Sequence, residues 1–214
     1  MSVTKLYLIR HGESQANEKN VFLGFTDLDL TEKGKEQAKK TAAYLQNVGA
    51  DAVYASDLLR AYHTAEATAE LVGLPVHKSA GLREIFAGEW ENQSFDDLEK
   101  KYVESYGMWI RDIGLSCPDG GESVGQMQQR VVAELTSIAK ANEGKTVLVF
   151  THATPIRCFA AYCKKQSLAE MKTTPWAGNA SVSVFTYENG EFSLVAYGVN
   201  DFLGDIATKL PENV

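Results

Sequence analysis

Short apolar runs and helical stripes alternate along the chain, and their order predicts an α/β fold. "KLYLIR" (5–10) reads as a buried strand. After a polar loop, 31–49 reads as a helix: Ala38, Thr41, Ala42, Leu45 and Val48 share one face, and Gly49 supplies a stop. "DAVYA" (51–55) is a second strand. Ser56 is then positioned to cap a helix from Asp57 to Val72, with Leu59, Tyr62, Ala65 and Ala69 at helical spacing and Gly73 at its end. Residues 86–122 are richer in glycine and aromatics and hold one short helix near 95–102, which predicts an insertion over the domain. Ser123 and Gln126 form a capping-box pair, opening a helix with Val124, Met127, Val131, Leu135 and Ile138 on one stripe. A buried strand at 145–152 and a helix at 154–164 follow, and two strands at 181–187 and 191–197 meet at Asn189-Gly190, a hairpin-turn pair. This order predicts a single domain over 1–214. Its expected form is a three-layer α/β/α sandwich with a mostly parallel central sheet and a helical insertion at about 86–122 lying over the site.

In an open α/β sheet, ligands collect beyond the carboxyl ends of the strands. Three predicted strands end on polar chemistry here: Arg10-His11, Ser56 with Arg60 one turn into the next helix, and Thr151-His152. Two histidines and two arginines are thereby expected at one crevice. Taken singly, each residue has a plainer reading. "RHG" is only three residues long, Arg60 fits a solvated helix position, and His152 fits a satisfied core histidine. His63 and His77 carry no partner pattern and read as structural, with the rim of the pocket left open for His63.

Composition narrows the partners. The 214 residues suit one α/β domain with a substantial core, and 44% hydrophobic with 23% charged residues is ordinary for a globular protein. The apolar runs, such as "TVLVF" (146–150), are strand-sized and far short of a membrane span. A net charge of −7 disfavours general nucleic-acid binding but allows a small anionic substrate held by a few local cations. Three cysteines, Cys117, Cys158 and Cys163, have no metal-type spacing and no even count, so neither a metal site nor a disulfide framework is expected. With no signal-peptide pattern at the start, the expected compartment is the cytoplasm. No Walker or GxGxxG-type loop is present, which disfavours nucleotide-driven chemistry.

The combination is more specific than its parts. "LIRHGES" followed by Asn17, "LTEKG" (30–34), "YASDLLRAYHTA" (54–65), "LREIFAGEWEN" (82–92), "PDGGES" (118–123) and "VFTHATPIR" (149–157) stand in the order of the blocks of the histidine phosphatase superfamily, the phosphoglycerate-mutase-like proteins. The resemblance runs from about 3 to 199. It implies a nucleophilic His11 that becomes phosphorylated, with Arg10, Asn17, Arg60 and His152 around the phosphoryl group and Glu84 as the proton donor to the leaving group. Glu84 alone would read as a surface carboxylate. Elementary chemistry agrees with these roles. Phosphoryl transfer spreads negative charge over equatorial oxygens, which fixed guanidinium groups stabilise, and a neutral imidazole splits one hard step into two easier ones. Ala153, Asn92 and Leu23 depart from residues common in that family, and none of the three removes a charge from the constellation.

Within the resemblance, a phosphatase is the expected activity. The mutases carry an arginine- and proline-rich segment after the "WE" block, whereas Trp90 to Gly121 here holds one proline, Pro118, and one arginine, Arg111. A cofactor-dependent phosphoglycerate mutase is the alternative within the family, and a non-catalytic phosphoprotein-binding module is the alternative from another class. No cofactor and no metal are expected, and a homodimer is allowed. The partner is a small phosphorylated metabolite. Its selection is assigned to the 86–122 region, where Phe86, Trp90, Tyr102, Tyr106 and Trp109 form either an apolar wall of the pocket or the core of the insertion.

Overall fold

A computed structural model describes residues 2–208. Among them, strands β1 (Thr4–Arg10), β2 (Ala52–Ser56), β3 (Val76–Ser79), β4 (Thr146–Thr151), β5 (Val182–Glu188) and β6 (Glu191–Val199) form one sheet in the order β3-β2-β4-β1-β5-β6. The first four are mutually parallel, while β5 and β6 run antiparallel as the expected hairpin around Asn189-Gly190. The helices are α1 (Gln15–Lys19), α2 (Glu32–Leu45), α3 (Leu59–Val72), α4 (Phe95–Lys101), α5 (Val103–Arg111), α6 (Val124–Ala141) and α7 (Ala153–Cys163).

Strand residues alternate between two cores, as the pleat requires. Leu6, Leu8, Val147 and Val149 face a layer containing Met127, Val131 and Leu135 of α6 and Ile156 and Phe159 of α7. Ile9, Leu148 and Phe150 face the opposite layer with Leu45 of α2 and Ala65 and Ala69 of α3. Helices on both sides of a mostly parallel sheet make the three-layer sandwich. Helices α4 and α5 occupy the expected insertion, and Trp90, Leu98, Tyr106 and Trp109 join the first core.

Local signals explain most boundaries. The Ser123–Gln126 capping box opens α6 with both reciprocal bonds, and Gly73 closes α3 in the left-handed region at φ 71°. The cap of α3 is a correction. Ser56 ends β2, and the helix starts at Leu59 after Leu58, which makes no side-chain cap bond. The Leu59 amide instead donates to Asp27 Oδ1 at 2.7 Å, a cap supplied from another part of the chain.

Parallel pairing aligns the strand ends. Arg10 of β1 stands opposite Thr151 of β4, and Ala55 of β2 opposite Phe150 of β4. The segments after β1, β2 and β4 therefore leave the sheet side by side along one edge. Gly12 turns the chain there under Gly34 of α2: a Cβ on Gly12 would stand 2.5 Å from the Gly34 carbonyl oxygen. The glycines of the "RHG" and "LTEKG" blocks are thus two sides of one close backbone approach.

Candidate active site

Along that edge lies a cleft of about 230 Å³ lined by Arg10, His11, Asn17, Arg60 and Glu84, together with Ser14, Asn179 and an apolar wall. Five of the six residues expected from sequence line it. The sixth, His152, is fully buried beside it, its ring meeting that of His11 edge to face at 5.2 Å between centroids.

His11 follows β1 and is 5% exposed. Its Nδ1 lies 2.7 Å from the Gly12 carbonyl oxygen, which only accepts. Nδ1 therefore carries the proton, leaving a lone pair on Nε2. Burial, helped by the positive fields of Arg60 and Arg10, holds the imidazole pKa well below its ordinary 6.5. The ring is neutral at physiological pH, the form that attacks phosphorus.

The two arginines hold backbone carbonyls and keep other donors in reserve. Arg10 donates from a terminal nitrogen to Ala177 O at 2.7 Å, and Arg60 donates to Gly24 O at 2.8 Å and Thr26 O at 3.0 Å. Burial lowers both guanidinium pKa values to about 10, so both stay cationic at neutral pH. Arg10 Nε is buried and has no hydrogen-bond partner among the described residues, and the same holds for His152 Nδ1. Buried polar atoms are rarely left unpaired, and these two belong to the residues that flank the His11 ring.

His152 is held by a partner that sequence reading assigned elsewhere. Its Nε2 lies 2.8 Å from Ser56 Oγ, and that hydroxyl accepts weakly from the Leu58 amide at 3.4 Å. When the Ser56 hydroxyl donates to Nε2, the imidazole proton stands on Nδ1, the tautomer in which His152 has a free N–H to offer. Burial first, then Arg60, the adjoining His11 imidazole, Arg10 and Arg130, lower the pKa of His152 well below 6.5.

Glu84 is 7% exposed, not the surface carboxylate its residue type alone would indicate. It accepts from the Ile85 amide at 2.9 Å and the Thr154 amide at 3.3 Å. Burial nevertheless raises its pKa above the ordinary 4.5, outweighing those bonds and the nearby Arg60. A buried carboxyl poised toward its acid form, in the same cleft as a neutral histidine and two cations, is a composition for moving a phosphoryl group and a proton together.

Asn179 was not visible as a candidate in the sequence. It lies in the irregular "WAGNAS" stretch before β5, and its side-chain amide donates to His11 O (3.2 Å), Gly12 O (3.4 Å) and Asn17 Oδ1 (3.1 Å). It ties the histidine loop to α1. Asn17 Oδ1 also accepts from the Ser14 amide at 3.0 Å, so its remaining amide N–H groups are the donors it can offer the cleft.

The apolar wall differs from the expected one. Of the five aromatics singled out in the sequence, Trp109 lines the cleft, joined by Phe95, also of the insertion, and by Val21, Phe22, Leu23 and Trp176. Trp90 and Tyr106 are core, the Tyr102 hydroxyl bonds Glu89 at 3.2 Å, and Phe86 packs on Phe25 at 5.2 Å. His63 is not a cleft residue; its Nδ1 pairs with Asp29 at 2.7 Å. His77 lies exposed on β3 against the Tyr54 ring at 5.1 Å. Asn92 adopts φ 60°, a conformation asparagine tolerates better than most residues, whereas Ala153 begins α7 with no such demand. Among the described residues no group of three or more His, Cys, Asp or Glu is arranged to hold a metal ion.

Over most of its length the chain is similar to proteins named as phosphatases. Phosphoserine phosphatase 1 of Hydrogenobacter thermophilus is 33% identical over 204 residues, 95% of this chain and 96% of that protein. Adenosylcobalamin/alpha-ribazole phosphatase of Escherichia coli is 35% identical over 148 residues, 69% of this chain and 73% of that one. The solved structure of Bacillus stearothermophilus YhfR superposes with a TM-score of 0.90 at 30% identity, over 94% of this chain and 99% of its own. The family model for the histidine phosphatase superfamily (branch 1) matches residues 6–200, and the chain belongs to that superfamily.

Proposed function

We propose that this chain hydrolyses small phosphate monoesters through a phosphohistidine on His11. The observation that carries the reading is the pairing of a neutral His11, its Nδ1 proton committed to Gly12 O, with a buried Glu84 whose pKa is raised in the same cleft. His11 Nε2 attacks phosphorus while the ester P–O bond breaks, and the departing alkoxide takes the Glu84 proton. Glu84, now a carboxylate, then accepts a proton from water as the water oxygen attacks phosphorus. The N–P bond breaks, releasing inorganic phosphate and restoring neutral His11. Arg10, Arg60, Asn17 and His152 supply donors to the equatorial oxygens throughout.

The cleft supports a phosphatase over a mutase. Its cationic lining residues are Arg10 and Arg60, its one carboxyl is Glu84, and the other lining residues are apolar or neutral polar. A second phosphate, as a bisphosphorylated cofactor carries, finds no arginine or lysine beyond Arg10 and Arg60 among the described lining residues. The preferred partner is accordingly a small metabolite with one phosphoryl group. Among the described residues no helix is long and apolar enough to cross a membrane, and Cys158 and Cys163 are free thiols, in keeping with a cytoplasmic setting.

The test is a panel of phosphomonoesters assayed for inorganic phosphate, with phosphoglycerate plus a bisphosphoglycerate primer as the mutase arm. Phosphate release from several esters and no isomerisation is the expected result. Isomerisation faster than hydrolysis would establish the mutase, and binding without turnover of any ester would establish the binding module.

A further inference from the structure

We propose that Arg130, with Glu122, is a positioning residue that sets the proton donor; the inference rests on the reading of Glu84 as the acid. Arg130 lies on α6, outside the cleft lining. All five of its guanidinium N–H groups are used, three on one loop and two on its brace. One terminal nitrogen donates to Gly81 O and Arg83 O, both at 3.0 Å. The other donates to Glu84 O at 3.0 Å and Glu122 Oε2 at 2.7 Å, and Nε donates to Glu122 Oε1 at 3.0 Å. Thr151, at the end of β4, donates to Leu82 O at 2.6 Å. Four consecutive carbonyls, 81 to 84, are thereby fixed by side chains of α6 and β4.

Glu122 closes the other end of the same segment. Its amide donates to Phe86 O at 2.9 Å and its carboxylate accepts from the Phe86 amide at 3.3 Å. Glu84 thus stands on a short stretch of irregular backbone gripped on both sides. An irregular loop would otherwise let a carboxyl wander by an ångström, and a misplacement of that size costs about a hundredfold in rate. The planar fork is what allows three carbonyls and a bidentate carboxylate to be held at once, which a lysine ammonium cannot do. Arg130 is paired with Glu122 and touches the Glu84 segment only through backbone carbonyls, so its influence on Glu84 is through position, while the arginines whose charges couple to that carboxyl are Arg60 and Arg10.

The decisive experiment compares an alkyl phosphate with 4-nitrophenyl phosphate in wild type, Arg130→Lys, Glu84→Gln and the double variant. Arg130→Lys should lose about tenfold or more in kcat/KM on the alkyl ester and no more than about threefold on the aryl ester, because kcat/KM reports the steps up to the phosphohistidine and the two esters share every step after it. Within the Glu84→Gln background, Arg130→Lys should have no further effect on the alkyl ester, because its target is already gone. Glu122→Gln, which keeps the shape of the brace, should show the same leaving-group signature more mildly and serves if Arg130→Lys does not fold. Equal losses on both esters, or full additivity in the double variant, would reduce Arg130 to a structural role and overturn the proposal. If Glu84→Gln itself shows no leaving-group selectivity, the acid reading falls and takes this inference with it, an outcome distinct from failure of the clamp alone.

Discussion

Ser56→Ala removes one hydroxyl from the interior and asks whether His152 works as an oriented donor. Ser56 and His152 are both fully buried, and Oγ to Nε2 is 2.8 Å. Without the hydroxyl, Nε2 becomes a buried acceptor with no partner, and leaving such a group unsatisfied costs about 1–3 kcal/mol. The weak 3.4 Å bond from the Leu58 amide adds little. A domain with the usual stability of about 5–15 kcal/mol remains folded after that loss. The larger consequence is chemical. With Ser56 gone the imidazole proton can move to Nε2, turning Nδ1 from a donor into an acceptor beside the phosphoryl site. Losing a whole preorganised donor costs roughly 100- to 1000-fold, and a histidine that still spends part of its time in the correct tautomer should cost about tenfold to a hundredfold in kcat. Urea unfolding reads the stability arm, and steady-state kinetics with inhibition by vanadate read the catalytic arm. A variant that loses stability as expected yet keeps wild-type kcat and vanadate affinity would refute the reasoning and leave Ser56–His152 as a core hydrogen bond.

The other expectations are shorter. Arg60→Ala should lower activity about a hundredfold and also destabilise the fold by about 2–3 kcal/mol, because Gly24 O and Thr26 O lose a charged donor; kinetics corrected for folded fraction separate the two, and a wild-type rate would exclude Arg60 from the site. The pH–rate profile should fall on the acid side only well below pH 6.5, since attack needs unprotonated His11, and on the basic side as the raised pKa of Glu84 is passed, since donation needs its proton. The basic limb of kcat/KM should appear with an alkyl ester and be absent with an aryl ester, whose phenolate leaves without a proton, and an equal limb on both would assign it to another group. Turnover should persist in excess EDTA because Arg10 and Arg60 supply the positive charge; loss restored by a divalent ion would contradict this.

What the sequence made legible is what local chemistry decides. The capping box at Ser123–Gln126, the left-handed stop at Gly73 and the Asn189-Gly190 turn each act within a few residues, and each stands where the pattern put it. The strand ends carrying Arg10-His11 and Thr151-His152 were readable because buried strands announce themselves. Elements that depend on distant contacts were not. Strand β3 is four residues of half-exposed "VHKS" on the sheet edge, with no alternation to detect. Helix α5 carries Gly107 and has no side-chain cap, and it owes its place to Tyr106 and Trp109 packing in the core. Ser56 satisfies a cap signature but serves His152, since the true cap of α3 comes from Asp27 across the fold. Asn179 and Arg130 act through backbone carbonyls brought near them only by folding, and no spacing in the chain reveals such a contact.

The central claim is covalent. Rapidly quenched protein, mixed with a substrate carrying a labelled phosphoryl group, can be digested and the modified residue located by mass spectrometry. The account predicts one acid-labile, base-stable phosphate on the imidazole of His11, formed and discharged at the rate of turnover and absent in His11→Ala, which should have no activity. A phosphate on any other residue, or hydrolysis that continues in His11→Ala, would contradict it.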